Sequence, residues 1–76
     1  MVVASLVVEA TPGKIRSAAE EMASVQGITV HNYEGCRIIV TTQMPDGCSI
    51  ESISEPLLRI DGVVDVTLIY LEEFDS

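Results

Sequence analysis

Two stretches of this chain repeat one instruction. VQGITV (residues 25–30) and RIDGVVDV (residues 59–66) each leave a segment of helical apolar spacing, cross a glycine and enter β-branched residues. A strand also stands ahead of each helix, so the chain reads as two β-α-β halves. That repetition narrows the fold more than any other feature of the sequence.

The first strand is the uncharged opening of MVVASLVVEA, whose valines suit a buried strand. No secretory signal is expected there, because no Lys or Arg precedes the apolar run and Glu9 interrupts it. The run also falls well short of the about 20 apolar residues that a membrane-spanning helix needs. Thr11-Pro12 offers an N-cap and a proline at the first helical position. Ile15, Ala18, Met22 and Val25 then recur at helical spacing, which predicts a helix over about 12–26, stopped by Gly27. ITVHNYEGCRIIVTT predicts a hairpin, with strands over about 28–33 and 36–42 and a turn near Glu34-Gly35. MPDG supplies another turn.

Ile50, Ile53, Leu57 and Ile60 mark a second helix over about 49–60. Pro56 removes a hydrogen bond inside it and predicts a distortion, either a kink or a fresh start capped by Ser54. VVDVTLIYL predicts a last strand over about 63–71, and Glu72, Glu73, Asp75 and Ser76 a short acidic tail that frays. The order β-α-β-β-α-β is that of the split βαβ, or ferredoxin-like, plait: an α+β domain with four antiparallel strands and both helices on one face. Right-handed crossovers give the strand order 4-1-3-2. The 76 residues are expected to form a single domain, 1–76, with the acidic tail from about 72.

Period-two alternation sorts the strand residues into two faces. Ala4, Leu6, Val8, Ile28, Val30, Ile38, Val40, Val64, Val66, Leu68 and Tyr70 are expected under the helices. Val3, Ser5, Val7, Glu9, Thr29, His31, Tyr33, Arg37, Ile39, Thr41, Asp65, Thr67, Ile69 and Leu71 are expected on the side that no helix covers. That side holds Val7, Ile39 and Ile69 among hydroxyls and acids, and an uncovered apolar patch with a polar rim marks a binding surface. A foreign partner and a weak homodimer are the two competing occupants.

Composition narrows the partner. With 12 acidic and 4 basic residues the net charge is −8, which excludes phosphate backbones and anionic lipid surfaces and favours a cationic partner. A composition 47% apolar rules out disorder. Enzyme chemistry is not expected. The one histidine cannot form a metal cluster, and His31 reads as an exposed strand residue. Neither Ser5 nor Cys36 shows a positioned base. TPGK lacks the first glycine of a phosphate loop. Cys36 and Cys48 fit neither a CxxC pair nor a zinc spacing, and they are expected as reduced, packed thiols in the cytoplasm. Among modules built on this plait, a copper chaperone fails for want of a CxxC loop, and an RNA-recognition domain for want of aromatics and basic charge. A small-molecule regulatory domain of the AsnC-like effector type, dimerising through its sheet, survives as the alternative.

SLVVEA, VQGITVHNYEGCRIIVTT and LLRIDGVVDVTLIYLEE, in this order and spacing, resemble the NapD family over essentially the whole chain. The resemblance implies a small cytoplasmic chaperone with a ferredoxin-like fold and no cofactor of its own. Such a chaperone binds the twin-arginine (Tat) signal peptide of the periplasmic nitrate reductase catalytic subunit. It holds back export while the reductase receives its molybdenum cofactor and iron–sulfur cluster. The sheet is the family's binding surface, matched here by position at Ser5, Val7, Ile39 and Ile69. Asp65, Leu71 and Pro56 depart from the family's usual pattern. Resemblance and surface chemistry together name Ser5, Val7, Glu9, His31, Ile39, Thr41, Asp65, Thr67 and Ile69 as the candidate peptide-binding set. In it, Glu9 and Asp65 pair with the arginines while the apolar residues take the stretch that follows.

Overall fold

The computed structural model describes residues 1–74, and only the backbone of Ile50. Four strands, β1 (Val2–Ala10), β2 (Ile28–Glu34), β3 (Arg37–Met44) and β4 (Val63–Glu73), form one antiparallel sheet in the order β2-β3-β1-β4. Helices α1 (Ile15–Ala23) and α2 (Ile50–Leu58) connect the strands of each half. Fold class and strand order are those the sequence predicts: an α+β ferredoxin-like plait.

Alternation in β1 organises the core. Val2, Ala4, Leu6, Val8 and Ala10 are all buried, while the residues between them are half-exposed. Ile38 and Val40 of β3 join them under Ala18, Ala19 and Met22 of α1 and Ile53 and Leu57 of α2. Both helices therefore cover the same side of the sheet, and the other side carries no layer. A fully buried Val, Leu or Ile is worth about 1.5–3 kcal/mol, so an aliphatic cluster of this kind can hold so small a chain without disulfides.

The glycine of each half does the same work. Gly27 and Gly62 sit at φ 89° and 93°, a region that L side chains rarely adopt. Each offers its carbonyl to a neighbouring segment, Gly27 to the Gln43 N–H of β3 at 2.8 Å and Gly62 to the N–H of Thr11, just past β1, at 2.7 Å. A Cβ on Gly62 would lie 2.6 Å from the Lys14 Cβ, where Lys14 also reaches Asp61 through a 2.6 Å ion pair.

Several expectations need correction. The helix expected over 12–26 opens as a 3-10 turn, Pro12–Lys14, before α1 proper. Thr11 makes no side-chain cap; its carbonyl accepts the Lys14 N–H at 2.8 Å instead, closing the tighter turn. At the far end, i→i−3 bonds from Ser24 to Glu21 and from Val25 to Met22 finish the helix, and Val25 is exposed. The second helix is capped by Ser49, which accepts from the Ser52 N–H at 3.3 Å, so Ser54 starts nothing. It runs on through Pro56 as one element. Strand β4 continues past 71: Glu72 and Glu73 lie opposite Val3 and Val2 rather than in a frayed tail. Asp75 and Ser76, assigned to that tail, lie outside the described residues.

The face assignments fail where the ladders slip. An extra residue in β2, His31, separates the Val30–Val40 pair from the Asn32–Ile39 pair. Asn32 thus takes the uncovered side, and Tyr33, expected there, pairs with the core-side Ile38. In β4, Ile69 is the extra residue between the Leu6–Leu68 and Ser5–Tyr70 pairs. Tyr70, expected under the helices, lies on the uncovered side, and Leu71, expected on that side, pairs with the core-side Ala4. A second slip, between Glu9 and Ala10, leaves Val64 62% exposed instead of under the helices.

The cysteines are free, as expected, but Cys36 is exposed in the hairpin turn rather than packed. Strand β3 separates it from Cys48, which puts them on the order of 25 Å apart, against a Cα limit of about 7 Å for a disulfide.

Two outcomes follow. Gly62→Ala should lower stability by about 1–3 kcal/mol in urea or thermal unfolding. Gly13→Ala, where a Cβ meets nothing within 4 Å, should be near neutral; equal losses at the two sites would refute the conformational argument. Both thiols should titrate with Ellman's reagent without prior reduction, Cys36 faster than the half-buried Cys48.

Candidate functional site

The uncovered side of the sheet is built as rows of directly opposed residues, which share a face because paired strands pleat in step. At the hairpin end Glu34, Arg37, Glu9 and Asp65 form one row. Asn32, Ile39, Val7 and Thr67 form the next, and Thr29, Thr41, Ser5 and Tyr70 the third. Gln43, Val3 and Glu72 close the far end. The pairing thus gathers Ser5, Val7, Glu9, Ile39, Thr41, Asp65 and Thr67 onto one surface.

The remaining two candidates sit at bulges. His31 is held to this surface by a 2.8 Å hydrogen bond between its Nε2 and the Thr41 Oγ1. Ile69 stands out of register and is 61% exposed.

Charge is concentrated at one end. Glu9 and Asp65 are direct cross-strand partners, an arrangement that like charges disfavour. The only Lys or Arg on the strands, Arg37, lies between Glu34 and Glu9 and approaches the Glu9 carboxylate loosely, at 4.0 Å. Among the described residues, Asp65 receives only the Thr67 hydroxyl, at 3.5 Å. An open depression of about 670 Å³ lies at this end, lined by residues that include Glu9, Asn32, Glu34, Arg37 and Ile39. The middle rows hold no carboxylate or guanidinium, only apolar and hydroxyl-bearing side chains and one carboxamide, with Ile39 39% exposed at the centre.

Sequence reasoning missed Tyr70 and Glu72. The Tyr70 hydroxyl donates to the Glu72 carboxylate at 2.9 Å, and that bond, with the carboxylate's charge, holds the phenol above its usual pKa of 10.0. A signal for them existed: four consecutive apolar residues in TLIYLE break period-two alternation, and a strand can absorb that only by slipping phase. Among the described residues, no cluster of His, Cys, Asp and Glu is arranged to hold a metal ion, and no helix is long and apolar enough to cross a membrane.

An acidic surface with an apolar centre is suited to bind an amphipathic cationic segment. No curated protein matches the sequence. The solution structure of the E. coli Tat proofreading chaperone protein NapD superposes with a TM-score of 0.79 at 26% identity, over 96% of this chain and 79% of that one. A family model described as NapD protein matches residues 1–75, every strand and helix of the fold included. The chain belongs to the NapD family.

Proposed function

We propose that this protein is a cytoplasmic chaperone that binds the twin-arginine signal peptide of a periplasmic nitrate reductase precursor and delays its export until cofactor insertion is complete. The observation that carries the reading is the family match over residues 1–75, joined to a structural likeness to a Tat proofreading chaperone. The uncovered face supports it physically. A twin-arginine peptide is basic and then apolar; this face carries Glu34, Glu9 and Asp65 at one end and Val7 and Ile39 in the row beyond.

Binding on a sheet face, unlike strand addition at an edge, leaves the peptide's own backbone groups without partners from the sheet. A helix satisfies them internally, so the peptide is bound as a helix with its apolar side on Val7 and Ile39. Its guanidinium groups pair with the Glu9 and Asp65 carboxylates, which also relieves the repulsion between those two. Bidentate Arg–carboxylate bonds give orientation as well as energy. Ordering the peptide subtracts from the gross affinity, which keeps the complex reversible. No bond is made or broken; the output is occupancy of the signal.

Calorimetry with the synthetic signal peptide of such a reductase should show 1:1 binding that weakens as ionic strength rises toward about 0.15 M. Val7→Asp and Ile39→Asp should each weaken it about tenfold or more, since each replaces a buried apolar contact with a charge. Unchanged affinity in both variants would remove the sheet face from the reading. A tight dimer indifferent to the peptide would replace it with self-association.

A further inference from the structure

The bulge at Ile69 does more than disturb a ladder. It turns Tyr70 onto the uncovered side opposite Ser5, where the residue is 55% exposed and its hydroxyl is tied to Glu72 at 2.9 Å. An exposed tyrosine with its polar end already bonded presents a flat apolar surface at little cost in side-chain freedom, the property that makes tyrosine a frequent anchor at interfaces. Tyr70 also stands apart from the charged row. Glu9, in that row, and Ser5, opposite Tyr70, are four positions apart on β1, a distance of about 13 Å.

We propose that Tyr70 is a specificity-determining residue that reads the length of the bound peptide's apolar stretch. This rests on the reading of the face as a twin-arginine peptide site. With the guanidinium groups at Glu9 and Asp65, a helix laid along the strands covers about 13 Å in about nine residues. An apolar stretch of that length or longer passes Val7 and Ile39 and seats its end on the Tyr70 ring. A shorter one stops over the middle rows and leaves the ring in water.

The reverse direction is disfavoured by desolvation. It would place the apolar stretch over Glu34, Arg37, Glu9 and Asp65, four charged side chains that would lose water without gaining partners. At the far end the closing row holds Gln43 and Val3 beside Glu72, whose carboxylate already accepts the Tyr70 hydroxyl. The face thus has a row of four charged side chains at one end and, at the other, the Tyr70 ring beside a single carboxylate that it already bonds, and a peptide that is basic and then apolar matches them in order.

The test couples the residue to peptide length. Two synthetic peptides are titrated, one with the full apolar stretch and one cut to five residues after the arginines. Tyr70→Ala should weaken the full peptide about tenfold and leave the affinity of the short one unchanged. Tyr70→Phe should keep most of the full-length affinity, since the ring remains.

A direct reporter is also at hand. The chain has no Trp and two Tyr, so Tyr33→Phe leaves Tyr70 as the only phenol. Its fluorescence should change on adding the full peptide and stay constant with the short one. Equal weakening of both peptides by Tyr70→Ala, or no weakening of either, would overturn the proposal. If the unmodified protein binds neither peptide, the peptide site itself falls, and the length reading with it.

Discussion

Everything on this molecule's surface follows from how its central strand is buried. β1 is paired on both sides, and every second side chain from Val2 to Ala10 is taken into one aliphatic core. Because those residues point one way, both helices must lie on that side. The other side of the same strand then carries Val3, Ser5, Val7 and Glu9 with nothing above them. Core and candidate site are thus two faces of one nine-residue segment. A one-residue slip of β1 would exchange them.

This explains how much of the protein was legible in its sequence. Wherever alternation is strict, as in SLVVE or RIIVT, a face can be read from residue types alone, and the structure agrees on every residue so assigned, 3–9 of β1 and 37–41 of β3. The element order was equally legible, because Gly27 and Gly62 mark two chemically distinct events, the end of a helix and the start of a strand. The misread positions cluster in β2 and β4, where a single extra residue moves every later side chain across the sheet. No propensity places such a residue uniquely. Its position is set by tertiary fit, by how Leu68 must meet Leu6 and how Leu71 must meet Ala4. Tyr70 was lost in this way, and so was Asn32.

The charged row shows a related tension between stability and use. Glu9 and Asp65 face each other across neighbouring strands with one loosely held arginine nearby. A sequence selected for stability alone would place opposite charges or hydroxyls there. Elsewhere the basic residues are spent more conventionally, Lys14 on Asp61 and Arg59 on Glu55. Both pairs are exposed, and each is worth at most about 1 kcal/mol. The unresolved repulsion sits on the face that the helices leave bare, where a bound cation would relieve it.

The slips that defeated the alternation argument fall on the two strands at the margins of the sheet, while the β1–β3 ladder in its middle keeps register throughout. A straight marginal strand is a template on which further chains can stack. A bulged one, edged on β4 with Asp65, Glu72 and Glu73, breaks the regular spacing of hydrogen-bonding groups that stacking requires. Margins of this kind disfavour edge-to-edge growth of the sheet while one of its faces stays uncovered.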